Sequence, residues 1–338
     1  MKLLITGASG FIGSHIAEEA LRQGHEVWCA IRKTTSRKYL QDSRLNFIEL
    51  NLSSTEQLKD ALAPHAFDVV IHAAGATKCL TKQDFYRTNT YGTKNLIEAI
   101  QSGNSDKNSK GKTPRFVFVS SLSVVNSIPE EKLGEPTAYG ESKLKAEEEV
   151  RKCSLPWVIL RPTGVYGPRE RDYFVMVKSI KQHSDFAVAG MEQILTFVYV
   201  DDVVQAVMKA ATEPEEQVCG GTYALSDGRE YSSVTFSDLI IENITELEGK
   251  RPWVLRIKAP LWLMRIVCWG GELYNHIFAR KNPNRLITLN NDKYNILTQR
   301  DWRCDITPAR TRLGYEPKVQ LEEGVRRTVR WYKENKWI

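Results

Sequence analysis

Along the first half of the chain, short apolar runs alternate with longer stretches of helical period. Lys2–Thr6 reads as a strand. Phe11–Gln23 carries apolar residues at helical spacing (Phe11, Ile12, Ile16, Ala20, Leu21), and Gly24 supplies a natural stop. Glu26–Ile31 and Asn46–Leu50 read as the second and third strands. Thr55–Leu62 reads as a helix closed by Pro64, and Phe67–His72 as the fourth strand. A long helix over Gln83–Ile100, a strand over Arg115–Val119, a helix over Thr137–Lys152 and a strand over Trp157–Leu160 complete the series. Near-continuous apolar strands between amphipathic helices predict a parallel sheet covered on both faces. Right-handed crossovers then give an α/β, Rossmann-like, doubly wound fold.

After residue 165 the pattern loosens. It predicts helices over Tyr173–Gln182, Asp201–Ala211 and Thr235–Glu246, and strands over Leu195–Val200 and Thr222–Leu225. Pro260–Phe278 reads as an apolar helix, and Leu321–Lys333 closes the chain. The expected division is a Rossmann domain over 1–165, its sheet completed by crossings near 195–225, and a smaller, mostly helical lobe over 166–338. Residues 102–113 are polar and aperiodic and read as a mobile loop.

Composition narrows the class. At 338 residues, 42% hydrophobic and 26% charged, the chain is globular rather than fibrous or disordered. The most apolar stretch, Trp253–Trp269, is broken by Arg256, Lys258, Pro260 and Arg265, so no spanning helix is expected. MKLLITGASG is too short an apolar opening for a signal peptide. The six cysteines form no CxxC pair, so neither a metal site nor a disulfide framework is expected, and a cytoplasmic location is. Charge is uneven: residues 251–338 hold 18 Lys and Arg against 8 Asp and Glu, a balance of +10, and six of the eight tryptophans. Such a basic, Trp-rich end fits an anionic substrate or weak peripheral contact with a membrane surface. It equally fits a small lobe filled by tryptophan and coated by arginine. No motif supports nucleic-acid binding.

Residues 6–13 read Thr-Gly-Ala-Ser-Gly-Phe-Ile-Gly, between the first strand and the first helix. Gly7 permits a sharp turn, Gly10 a close approach of backbone to diphosphate, and Gly13 helix–sheet packing. With Ser9, Phe11 and Ile12 they form a dinucleotide site on the helix N-terminus. The second strand ends in Cys29-Ala30-Ile31-Arg32-Lys33, with no carboxylate. Cations at Arg32 and Lys33 favour the 2′-phosphate of NADP over NAD, unless both are simply solvated loop charges. Asn51 and Leu52, after the third strand, are placed against the adenine.

Tyr139 and Lys143 stand at i and i+4 near the start of a helix, on one face. A nearby ammonium, and an oxidised nicotinamide, would lower the phenol's pKa and make it an acid/base near neutrality. The same spacing recurs at Tyr332 and Lys336 in the closing basic helix, where it reads as surface. Tyr139 differs because Ser120-Ser121 ends a strand upstream, at the carboxyl end of the sheet where ligands of open α/β folds bind.

These motifs, with His72-Ala73-Ala74-Gly75, Asn89-x-x-Gly92-Thr93, Arg161-Pro162-Thr163-Gly164-Val165-Tyr166-Gly167-Pro168, Val200-Asp201-Asp202-Val203 and Leu313-Gly314-Tyr315-x-Pro317, occur in order. The chain resembles the extended short-chain dehydrogenases/reductases, the NAD-dependent epimerase/dehydratase family. The resemblance implies Tyr139 as acid/base, Lys143 as the group that lowers its pKa and holds the nicotinamide ribose, and Ser121 as the hydrogen bond to the reacting oxygen. Ser123 is a helper or a structural hydroxyl. Ala73, Ala74 and Gly75 would line the cofactor, and Pro162, Thr163, Gly164 and Val165 would border the nicotinamide. Asn89 is expected to brace the sheet. A homodimer through the helices at 83–100 and 137–152 is implied as well.

Departures point within the family. Many nucleotide-sugar members carry Asn where Gly164 stands, gripping the substrate diphosphate, and an acidic residue at the end of strand two. The chain looks closer to dihydroflavonol-reductase-like and 3β-hydroxysteroid-dehydrogenase-like members. The apolar segment 253–278 fits an apolar substrate pocket or ordinary lobe core. The leading expectation is an NAD(P)-dependent oxidoreductase acting on a small-molecule secondary alcohol or ketone. The alternative is a nucleotide-sugar epimerase or dehydratase that recycles NAD internally. A dinucleotide-binding regulator without turnover is disfavoured by the intact Ser121, Tyr139 and Lys143.

Overall fold

The computed structural model describes residues 1–104, 113–128, 130–131, 134–188, 192–279 and 290–338. Most of the segment expected as a mobile loop, 105–112, lies outside the described residues; residues 102–104 end a helix.

The chain begins with β1 (Lys2–Thr6), α1 (Phe11–Arg22), β2 (Glu26–Ile31), β3 (Asn46–Glu49), α2 (Thr55–Leu62) and β4 (Val69–His72). α3 (Lys82–Phe85), a π-helical turn (Tyr86–Tyr91) and α4 (Gly92–Asn104) follow. β5 (Arg115–Val119), a 3-10 turn (Leu122–Ser127), α5 (Ala138–Lys152) and β6 (Trp157–Pro162) come next. The second part holds β7 (Gly164–Tyr166), α6 (Asp172–Lys181), β8 (Ser184–Val188), β9 (Ile194–Leu195) and β10 (Phe197–Tyr199). It continues through α7 (Val200–Thr212), α8 (Glu215–Val218), β11 (Gly221–Leu225), β12 (Tyr231–Ser232), α9 (Thr235–Glu248) and β13 (Leu255–Ala259). α10 (Leu261–Tyr274), a second π-helical turn (Asn275–Ala279), α11 (Asn291–Thr298), α12 (Thr307–Leu313) and α13 (Leu321–Glu334) close the described structure.

Seven strands form one parallel sheet in the order β11-β6-β5-β4-β1-β2-β3. The order reverses beside β1, which pairs with both β2 and β4, and that reversal opens a crevice at the strands' carboxyl ends. Alternation fills both faces of the sheet. Leu3 and Ile5 of β1 and Val117 and Val119 of β5 enter one core; Leu4, Phe116 and Phe118 enter the other. Covered on both sides, the strands need no polar face, which is why they read as apolar runs.

The structure departs from the sequence expectations in several places. The expected helix over 83–100 is interrupted by the π-helical turn, whose extra residue per turn leaves the apolar spacing almost unchanged. The expected strand over 195–200 divides at Thr196 into β9 and β10, which pair with β12 and β7 respectively. β8 and β13 form a parallel ribbon from segments about 70 residues apart, so neither shows in local pattern. Tyr332, read as surface, is fully buried: its hydroxyl donates to the Glu170 carbonyl at 2.8 Å, and its ring stacks on Trp337. The apolar residues of 253–278 fill neither a core nor an enclosed pocket, since most of the large ones are exposed. Among the described residues no helix is long and apolar enough to cross a membrane.

Candidate active site

Gly7 and Gly10 close the first βα turn by a 2.9 Å bond from Gly10 N–H to the Gly7 carbonyl. Gly7 has φ of +70°, and a β-carbon on it would meet the Ala74 nitrogen at 2.6 Å. A β-carbon on Gly13 would stand 2.1 Å from the Gly7 carbonyl oxygen. Only glycine lets the turn, α1 and the strand-four loop close on one another here. The N-terminus of α1 has no side-chain cap and no acid in its first turn. The first N–H groups and the positive dipole end at Phe11 and Ile12, beside Ser9, are therefore left for an anion, a cradle that fits a diphosphate.

A buried hydrogen-bond chain joins the ends of β1 and β4 to α4. Ala74 N–H donates to Thr6 Oγ1 at 3.3 Å, and Thr6 Oγ1 meets His72 Nδ1 at 2.6 Å. His72 Nε2 meets Thr93 Oγ1 at 2.9 Å, and the Thr93 hydroxyl donates to the Asn89 carbonyl at 2.6 Å. One assignment satisfies every group: a neutral imidazole protonated on Nε2, accepting from Thr6. Burial, with the Lys143 charge adding to it, pushes the His72 pKa down to about 3. Asn89, on the π-helical turn, holds the loop after β4: its Oδ1 accepts from Ala76 N–H at 2.7 Å, and its Nδ2 donates to the Ala76 carbonyl and to Ser142 Oγ. This fixes Ala73, Ala74 and Gly75 against the crevice.

Helix α5 begins at the Thr137 cap, whose hydroxyl accepts from Gly140 N–H at 2.9 Å. Tyr139, Lys143 and Glu147 follow on one face. The Tyr139 phenol is close enough to Ser121 for that hydroxyl to favour its phenolate, and Ser121 is held by its own turn: its Oγ accepts from Ser123 N–H at 3.2 Å and donates to Ser123 Oγ at 3.1 Å. The Lys143 ammonium donates to the Val119 carbonyl at 2.8 Å and lies over the Phe118 ring. A β-carbon on Gly75 would be 3.8 Å from it, so it lies directly under the strand-four loop. The structure thus brings Ser121, Tyr139, Lys143 and Gly75 together.

Burial dominates the electrostatics of the pair. Burial raises the Tyr139 phenol, and the Ser121 hydrogen bond only partly opposes it. Burial also lowers Lys143, to about 7, with the Glu147 charge acting the other way. In the chain by itself desolvation outweighs the Ser121 contribution; the lowering expected from the sequence also counts an oxidised nicotinamide.

Three residues beside the site escaped the sequence reading. Glu147 is fully buried, and its carboxylate accepts from Ser120 Oγ (2.6 Å), from Arg161 Nε and Nη2 (3.0 and 2.8 Å) and from Arg151 (2.8 Å). Burial alone would raise this carboxyl; Arg161, Ser120 and Arg151 together hold it below the usual range. Its signal was the four-residue ladder 139, 143, 147, which a run of surface-like glutamates conceals. Tyr173 fills the space at Gly164, where a β-carbon would lie 2.4 Å from the Tyr173 hydroxyl. That ring is stacked on Phe236 at 4.8 Å and flanked by Tyr166 and Phe197. Arg169, at φ of +76°, donates to Ser14 Oγ at 3.0 Å and pairs with Glu18, bringing a guanidinium to the first turns of α1.

The remaining expected residues lie around this centre. Pro162 ends β6 opposite Leu225, Thr163 bonds Thr196 at 2.8 Å, and Gly164 and Val165 pair with Phe197 and Val198. Arg32 and Lys33 are exposed at the end of β2, with Arg37 and Lys38 following. Arg32 N–H donates to Thr35 Oγ1 at 2.9 Å, which shapes the turn there. Asn51 organises the turn into α2, accepting from Ser53 and donating to Gln57 at 3.0 Å, and the Leu52 carbonyl accepts from Asn95. Both sit at the carboxyl end of β3. Among the described residues no cluster of three or more His, Cys, Asp or Glu is arranged to hold a metal.

Comparison with known proteins gives the family. The chain is 24% identical to a decarboxylating sterol-4-alpha-carboxylate 3-dehydrogenase of Candida albicans, covering 98% of each chain. It is 25% identical to a ceramide reductase of Caulobacter vibrioides, over 99% of this chain and 95% of that one. The solved UDP-glucuronic acid 4-epimerase of Bacillus cereus in complex with NAD shares the fold, with a TM-score of 0.70 and 24% identity over 99% of both chains. The model of the NAD dependent epimerase/dehydratase family matches residues 3–226. The chain belongs to that family and is an enzyme of the extended short-chain dehydrogenase/reductase type.

Proposed function

We propose that the protein is an NADP-preferring oxidoreductase acting on an apolar secondary alcohol or ketone. The observation that carries this reading is the convergence of Ser121, Tyr139 and Lys143 beneath the Gly75 loop, at the carboxyl ends of β4 and β5. The glycine turn and the N-terminus of α1 would hold the diphosphate, and Lys143 the nicotinamide ribose. The bound dinucleotide supplies the two-electron hydride chemistry. Tyr139 holds the exchanging proton at its hydroxyl oxygen, and Ser121 orients the substrate oxygen toward it. A cation close to Tyr139 and Lys143 would favour the phenolate that burial disfavours.

Arg32 and Lys33, with no carboxylate at the end of β2, support NADP. Two features support an apolar substrate. Relatives act on a sterol carboxylate and a ceramide, by their names. Tyr173 occupies the space at Gly164 that a diphosphate-gripping Asn would need. The second reading is an epimerase that recycles NAD internally, supported by the likeness to an NAD-bound UDP-glucuronic acid epimerase. We further assign the cofactor to residues 1–165 and the substrate to 166–338, a homodimer as the assembly, and the cytoplasm as location, where six free thiols are at home.

The test is Tyr139→Phe. Ketone-dependent oxidation of NADPH should fall by about 10²–10⁴-fold with NADPH affinity retained. Unchanged turnover would remove Tyr139 from the chemistry.

A further inference from the structure

Helices on a protein surface turn their apolar stripe inward and their charges outward. α10 does the reverse. Its inward line, Met264, Cys268 and Gly271, is narrow and small, and the helix lies against α11. Its outward line is Trp262, Ile266, Trp269 and Leu273, continued by Ile277 on the π-helical turn. Trp262, Ile266 and Trp269 are 65%, 56% and 62% exposed. Leu263, Val267 and Phe278 widen the stripe, and Arg265 and Glu272 are the only charged residues within α10.

The preceding strand repeats the arrangement. Leu255 and Ile257 stand at alternate positions of the strand and therefore on one face, and Trp253, stacked on His183, precedes them. Trp253 is 68% exposed and Leu255 59%. Phe186 of β8, in register with Ile257 and thus on that same face, is 64% exposed. Single exposed apolar residues are ordinary, whereas a stripe along α10 and a second set on the strand that leads into it mark a surface that something covers.

We propose that this face docks onto an anionic lipid bilayer. Three observations choose that occupant. The helix, 14 residues or roughly 21 Å long, is too short for a hydrocarbon core of about 30 Å, so it would lie in the plane of the surface. Its exposed aromatics are tryptophans, the side chain that settles at the boundary between headgroup and hydrocarbon. The surrounding sequence is basic: residues 251–338 carry a balance of +10, and Lys250, Arg251 and Lys258 are exposed beside the apolar strand face. That charge complements anionic headgroups. It opposes a second copy of the chain, which would bring two such basic segments together. The proposal does not rest on the reaction assigned above, because lipid binding reads it without turnover.

The experiment is co-sedimentation with phosphatidylcholine vesicles and with phosphatidylcholine vesicles containing phosphatidylglycerol, at low salt and at about 0.5 M salt. The wild-type chain should pellet with the anionic vesicles at low salt. Trp262→Asp/Trp269→Asp should lower that partitioning by roughly tenfold or more while leaving the thermal unfolding curve in place. Wild-type protein that stays in the supernatant with anionic vesicles at low salt overturns the proposal. So does a double variant that folds and pellets as well as the parent. A wild-type mass of two chains that falls to one in the double variant, with no vesicle binding, would assign the face to a second copy and overturn it too.

Discussion

The Glu147 carboxylate lies one turn of α5 beyond Lys143 and is gripped by Arg161 through two hydrogen bonds, at 3.0 and 2.8 Å. It ties α5 to β6 and is the charge that raises the pKa of Lys143 against burial. Glu147→Ala should destabilise the fold by about 3–5 kcal/mol, because it strands a largely buried guanidinium. Glu147→Gln should keep part of the hydrogen bonding, lose less, and lower the Lys143 pKa further below 7. Denaturant unfolding of both variants checks the order; equal stability to the parent would mean the pair holds nothing.

The glycine turn makes a steric prediction. In Gly13→Ala the new β-carbon would overlap the Gly7 carbonyl oxygen, a backbone atom that cannot rotate away. Overpacking of this kind costs about 1–3 kcal/mol. Moving the turn should also weaken dinucleotide binding by at least tenfold, about 1.4 kcal/mol. Calorimetric titration with NADPH measures the second effect separately from the first.

Gly164 and Tyr173 should behave as a pair. Gly164→Asn alone drives its β-carbon into the Tyr173 hydroxyl, and that ring is locked by Phe236, Tyr166 and Phe197. The single variant should lose stability by about 1–3 kcal/mol, and adding Tyr173→Ala should relieve part of that loss. Strictly additive losses in a double-mutant cycle would show that the two side chains do not compete for space.

His72 makes a prediction about pH. Its folded pKa, about 3, lies below the ordinary 6.5, so between those values the unfolded chain binds the proton and the folded chain does not. Stability from the neutral ring is therefore complete above pH 6.5 and is lost progressively as pH falls toward 3. The imidazole nitrogen resonances of His72 should show a single Nε2-protonated tautomer that does not titrate down to about pH 4. A midpoint near 6.5 would contradict the hydrogen-bond chain from Ala74 to Asn89.

Much of this architecture was legible because the physics is local. Leu3, Leu4 and Ile5 are all apolar because both sheet faces are covered, and the glycines at 7, 10 and 13 are spaced by the turn they make. What escaped depends on contacts between distant segments. Nothing near Phe186 announces that Ile257 pairs beside it. Hydropathy alone cannot tell whether the stripe on α10 faces in or out, so the exposure of Trp262 was not foreseeable. Tyr332 misled in the opposite sense: its basic neighbours read as surface, while the helix turns that one edge into the core. At the site, spacing puts Tyr139 and Lys143 on one helix face, but how deeply they are buried, which sets the direction of their pKa shifts in the chain by itself, depends on distant segments.

The central claim is a freely exchanging NADP cofactor serving net oxidation or reduction. It is tested most directly by denaturing the purified protein, identifying any released dinucleotide by mass, and then titrating the native protein with NADPH and NADH. The account predicts little or no retained cofactor and NADPH binding at least about tenfold tighter than NADH, with the preference lost in Arg32→Ala. One equivalent of tightly held NAD, with no preference for NADPH, would contradict it and establish the internally recycling epimerase or dehydratase instead.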